Sequence, residues 1–116
     1  MRRVEAAGWT LEIPETHVER TRGLLGRDGL DPMQALVLAR CSSVHTIGMR
    51  FPIDVIAFDP DWGAVDVRTL PPGRVSWPRR RVRNVIETAA GRGQAFTASL
   101  DGRTIREALG TDPRRT

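Results

Sequence analysis

At 116 residues the chain has room for one domain with one ordinary hydrophobic core, and 40% hydrophobic with 28% charged residues excludes extensive disorder. No apolar run approaches the roughly 20 residues that span a bilayer, and no apolar stretch follows Met1-Arg2-Arg3-Val4-Glu5, so neither a membrane anchor nor a secretory signal is expected. The net charge is +4, and all 18 basic residues are arginine, which reads first as the codon usage of a GC-rich genome and only second as affinity for polyanions.

In chain order, Trp9-Thr10-Leu11-Glu12-Ile13 alternates apolar and polar residues and predicts an opening strand closed by Pro14. One short helix follows, near residues 16–26. Thr16 is placed to cap it, with Glu19 three residues on completing a capping box, and Gly26 or Gly29 to stop it. Ala35–Ala39 and Val55–Phe58 are apolar runs of strand length. Asp59-Pro60-Asp61-Trp62-Gly63 is a turn leading into an alternating strand over 64–70, which makes a hairpin. Residues 74–78 read as an edge strand and 84–89 as a further strand. Residues 94–100 read as a helical turn, 104–109 as a closing helix or strand, and 111–116 as a frayed end. Short strands with one early helix predict a mainly β domain over 1–116, a small sandwich or distorted barrel.

The chemistry concentrates after the single cysteine, Cys41, in His45-Thr46-Ile47-Gly48-Met49-Arg50-Phe51-Pro52-Ile53-Asp54. A thiol, an imidazole, a hydroxyl, a guanidinium and a carboxylate fall there within 14 positions. Gly48 permits a positive φ, and Pro52 holds Phe51 extended. One cysteine cannot close an internal disulfide, which fits a reducing cytoplasm.

Arg22-Gly23-Leu24-Leu25-Gly26-Arg27, then an apolar strand, then Cys41…His45 through Asp54, then Val85-Ile86-Glu87…Gly91, together resemble the domain of unknown function 192 family over about residues 10–102. The resemblance implies a small, mainly β, sandwich-like fold and no particular activity, substrate or cofactor. Many members of that family carry Trp-Met-Lys-Asn-Thr where this chain has His45-Thr46-Ile47-Gly48-Met49, and others carry an export signal. If the branches share one function, Asp54, Glu87 and the Arg22-Gly23-Leu24 turn are stronger site candidates than Cys41 or His45.

Three readings of these residues compete. Cys41 and His45 form a nucleophile–base pair only if they touch and a third group orients the imidazole; without that, Cys41 is a small buried apolar group. Cys41, His45, Asp54 and Glu87 would need to converge to hold a metal, and no paired-ligand spacing supports it. No cofactor or metal is expected, and His17 reads as a surface residue. Asp54 reads equally as a cap at a strand end, and Glu87 as the partner of Arg50 or Arg22.

The favoured reading is a binding or accessory module. Its polar cleft for a small molecule or a peptide would be lined by Arg22, Cys41, His45, Thr46, Arg50, Asp54 and Glu87, with Asp54 and Glu87 side by side near an arginine. The alternatives are a thiol-dependent or hydrolytic enzyme using Cys41 and His45, and an interaction protein for an acidic partner. The Arg79–Arg83 cluster lacks stacking partners, so specific nucleic-acid binding is not expected.

Overall fold

Segments far apart in the chain meet in one central sheet. The computed structural model describes residues 1–76 and 78–110, so the expected frayed end over 111–116 lies outside the described residues. Eight strands and three helices run in the order β1 (Arg2–Ala6), β2 (Trp9–Ile13), α1 (His17–Arg22), β3 (Gln34–Leu38), β4 (Val44–His45), β5 (Ile53–Phe58), β6 (Ala64–Leu70), β7 (Val75–Ser76), β8 (Asn84–Ala89), α2 (Gly93–Ser99) and α3 (Gly102–Leu109). Six strands form the main sheet in the order β1-β2-β3-β8-β5-β6, and β4 pairs β7 in a separate two-stranded ribbon. Only β2 and β3 pair parallel in the main sheet, and α1 lies on the crossover between them. The domain is mainly β, as expected. The described residues form no closed barrel; α2 forms where a helical turn was expected, and α3 forms over the segment read as a closing helix or strand.

Both faces of this sheet are covered. On one face Trp9, Leu11, Val37, Ile56, Phe58 and Ile86 pack against Phe96 and Leu100 at α2 and Ile105 and Ala108 of α3. Phe96 meets Trp9 edge-on at 5.0 Å, and the Arg92 guanidinium stands 5.5 Å over the same indole ring. On the other face Leu36, Leu38, Ile53, Val55, Ala57 and Val85 pack against Leu24, Met49 and Val82 from the connecting segments. β5 is therefore buried at every residue, the pattern of a strand sandwiched between two layers. Ile53 and Val55 enter one layer while Ile56 and Phe58 enter the other.

Local signals set the element ends. Thr16 caps α1 through its Oγ1, which accepts the Glu19 N–H at 3.1 Å, while Glu19 Oε1 accepts the Thr16 N–H at 3.2 Å. The helix stops at Gly23, three residues before the expected Gly26, because Gly23 takes φ +49°. Leu24 is thereby released from the helix and buried against the sheet, and Val18 is left 74% exposed. Asp59 holds the β5–β6 turn, its Oδ1 accepting the N–H groups of Asp61 and Gly63 at 2.9 and 2.8 Å.

The two-sided burial has a cost on β2. Strand alternation alone sends Glu12 toward solvent, but the second layer buries it to 1% exposure. Arg27 answers it, donating to Oε1 at 2.8 Å, and Arg3 Nε approaches Oε2 at 3.6 Å. The Arg-Gly-Leu-Leu-Gly-Arg run thus delivers Leu24 to the core and Arg27 to a buried carboxylate. Arg27→Met is expected to lower stability by about 2–3 kcal/mol, because it strands a buried charge that the more distant Arg3 only partly answers. Urea denaturation reads this as a lower midpoint at unchanged slope. The surface pair Arg50–Asp28, exposed on both sides, is the control, and Arg50→Ala is expected to leave the midpoint nearly unchanged.

Candidate functional site

A cleft of about 320 Å³ opens on the face of the sheet away from α2 and α3. One wall is α1 and the turn that follows it, carrying His17, Arg20, Arg22, Leu24 and Leu25. The other is the segment from Cys41 to Met49. His17, Arg20 and Thr21 all border it, as residues i, i+3 and i+4 of one short helix should. Glu87 of β8 and Leu38 of β3 reach it from the sheet.

Glu87 is the unusual group. Its residue is 4% exposed, and its carboxylate makes no hydrogen bond or ion pair among the described residues. Burial alone pushes its pKa up to about 7. The expected pairing of Glu87 with Arg50 or Arg22 is therefore corrected. Arg50 pairs with Asp28 at 2.8 Å outside the cleft. Arg22 lies exposed on the cleft wall without an ion pair among the described residues.

The expected proximity of the Asp54 and Glu87 carboxylates is also corrected. In the β5–β8 ladder Asp54 stands opposite Thr88, and Glu87 stands opposite Val55. Side chains alternate along a strand, so the two carboxylates project from opposite faces. Asp54, 3% exposed, belongs to the helix side. Its Oδ2 accepts the Gly93 N–H at 2.8 Å and its Oδ1 the Thr69 hydroxyl at 2.6 Å. It ties the start of α2 to β5 and β6 and takes no part in the cleft. A Cβ at position 93 would stand 2.6 Å from Val67 Cγ1, so glycine is needed for that approach.

Thr46 is buried and knots two loops together. Its hydroxyl donates to the Pro71 carbonyl at 2.6 Å and accepts the Arg74 N–H at 2.9 Å. It too lies outside the lining of the cleft. Of the seven expected site residues, Arg22, Cys41, His45 and Glu87 come together, while Thr46, Arg50 and Asp54 do not. His17, expected at the surface, is exposed and also borders the cleft. Arg20 and Met49 were not anticipated as site residues. The helical spacing from His17 to Arg20 was a signal for the first, whereas nothing local marks the second.

Cys41 and His45 are not joined. The Cys41 thiol donates to the Ser43 carbonyl at 3.0 Å, and burial pushes its pKa up, with the Glu87 carboxylate adding to the rise and Arg20 opposing it. A raised pKa leaves little thiolate at neutral pH. Iodoacetamide is accordingly expected to alkylate Cys41 more slowly than a free cysteine peptide at pH 7.5. Equal or faster alkylation would contradict this electrostatic picture. Among the described residues no group of three or more His, Cys, Asp or Glu side chains is placed to hold a metal ion, and no helix is long and apolar enough to cross a membrane.

Comparison with known proteins places this geometry in a wider group. The chain is 33% identical over 87 residues to UPF0127 protein PH1112 of Pyrococcus horikoshii, covering 70% of this chain and 73% of that protein. A crystal structure from Sinorhizobium meliloti 1021, described as a candidate transcription regulator, superposes with TM-score 0.64 at 20% identity over 87% of this chain and 86% of that one. A protein of unknown function from Novosphingobium aromaticivorans DSM 12444 superposes with TM-score 0.52 at 18% identity, over 83% and 73%. Both structures share the fold. The domain of unknown function 192 model, described as Uncharacterized ACR, matches residues 2–103, nearly the whole chain, and the chain belongs to that family.

Proposed function

We propose that this protein is a binding or accessory module of a cytoplasmic setting, whose cleft takes a small polar ligand or a peptide end. One observation carries the reading: Glu87 is a buried carboxylate without a protein partner among the described residues, facing an open cleft. Burying a charge without a donor costs several kcal/mol, and sites that work on ligands tolerate such costs. The walls suit the role, with Leu24, Leu25, Leu38 and Met49 as apolar lining and arginine and histidine at the rim. The thiol-enzyme alternative is disfavoured by the Cys41–Ser43 hydrogen bond, which leaves Cys41 without a base. A specific nucleic-acid partner is disfavoured too. Arg79 is held in a two-pronged pair by Asp66, and Arg83 donates to the Arg80 and Val82 carbonyls, so the cluster is partly consumed within the fold.

Titrating a chemically diverse fragment set into the isotope-labelled protein tests this reading. Bound fragments are expected to shift amides at 21–25, 41–45 and 87 together. Shifts confined to other surfaces, or none across the set, would refute it.

A further inference from the structure

Resting on that cleft as a binding site, we propose that its occupant is a small amphipathic zwitterion. An amine meets Glu87 at the floor, a short aliphatic stem runs past Leu38 and Met49, and an anionic end meets Arg22 and His45 at the rim.

The floor argues for the amine. The Glu87 carboxylate receives no hydrogen bond from any described residue, and the nearby Arg20 guanidinium donates to the Ala39 carbonyl. An ammonium brings three donors and the missing charge, and charge-assisted hydrogen bonds in a desolvated site are the stronger kind. The rim argues against a simple cation. Arg22 and His45 are exposed at the mouth, and their side chains make no hydrogen bond or ion pair among the described residues, so a ligand with positive charge alone meets repulsion there. A ligand carrying an amine inside and a carboxylate or phosphate outside satisfies both ends. The middle is apolar: Leu38 and Met49 are buried in the second core layer and border the cleft. That lining suits methylene groups better than a sugar or a nucleobase edge.

The experiment uses ε-aminocaproate as probe, with caproate, hexylamine and ε-hydroxycaproate as controls, titrated into the isotope-labelled full chain. ε-Aminocaproate is expected to shift amides at 41–45 and 87, and to bind about tenfold more tightly than any control, the worth of one charge-assisted contact. Glu87→Gln is expected to weaken it about tenfold and to leave caproate unchanged, and Arg22→Ala to weaken it severalfold with hexylamine unchanged. Retained amide dispersion in both variants excludes unfolding as the cause. A control that binds as tightly as ε-aminocaproate, or a Glu87→Gln variant that binds it equally well, would overturn the zwitterion while leaving the cleft as a site for other fragments. Absence of cleft shifts from these probes together with the whole fragment set would end both.

Discussion

Glu87→Gln is expected to make the protein more stable at pH 8, by about 2–3 kcal/mol, and to flatten its dependence on pH. The carboxylate titrates near 4.5 in an unfolded chain and at about 7 in the fold. Between these values the folded state holds a proton that the unfolded state has released, so stability falls as pH rises. The stabilisation from neutral Glu87 is fully present below about pH 4.5 and is lost by the time the pH has passed about 7. A difference of this size corresponds to about 3 kcal/mol. The other titratable or charged groups that border the same cleft are Arg20, Arg22, His17, His45 and the Cys41 thiol. The wild type and the variant are compared across pH rather than at one value, because the difference between them isolates the contribution of Glu87. Urea unfolding at pH 5, 6, 7 and 8 reads the effect directly. A variant whose stability tracks the wild type at all four would show that Glu87 is not the desolvated carboxylate described here. The gain is informative because a residue that lowers stability in the resting protein is a candidate for work done elsewhere.

Asp54→Ala is expected to be severe in the other direction, costing about 2–4 kcal/mol. It removes the acceptor for the buried Gly93 N–H and for the Thr69 hydroxyl, and an unsatisfied buried donor carries its full desolvation penalty. The damage should fall on α2 and its packing at Phe96 against Trp9, because Asp54 is the side chain that anchors the start of that helix. Hydrogen exchange is the measurement. Protection is expected to drop first across residues 93–100, with amides at 41–45 on the opposite face retaining theirs. Simultaneous loss at both places would mean that the two faces are not as independent as the layering indicates. Asp54→Asn, which keeps an acceptor, is expected to recover part of the loss.

The contrast between these two carboxylates explains how much of the site could be read in advance. Glu87 and Asp54 both stand out in the sequence as acidic residues in apolar strands, and the Cys41–His45 wall and Arg22 are visibly chemistry-bearing. Their grouping is not written locally. Which face a side chain joins depends on the register of its strand, and a slip of one residue exchanges the faces. That register, Asp54 against Thr88, is set between β5 and β8, with all of β6 and β7 between them in the chain. The same limit hid the parallel pairing of β2 with β3, whereas β1 pairs with β2 locally, across a tight turn in which Ala7 takes a positive φ that its residue type does not signal.

Local chemistry was decisive where one short segment carries its own instructions. The Thr16–Glu19 capping box formed because both partners lie within one turn. The Asp59 turn formed because its side chain reaches backbone only two and four residues on. The strand over 84–89 was marked by its β-branched residues and the glycines after it. By itself, then, the amino-acid sequence determined the Thr16–Glu19 cap, the Asp59 turn, most strands and the family. The tertiary structure alone decided that a second layer covers the sheet. That layer buries Glu12 with Arg27 as its partner and leaves Glu87 without one at the floor of a cleft, while on the opposite face the helices turn Asp54 into an anchor. The physical reason is that burial and desolvation are properties of what packs against a residue, and here the packing elements come from distant parts of the chain.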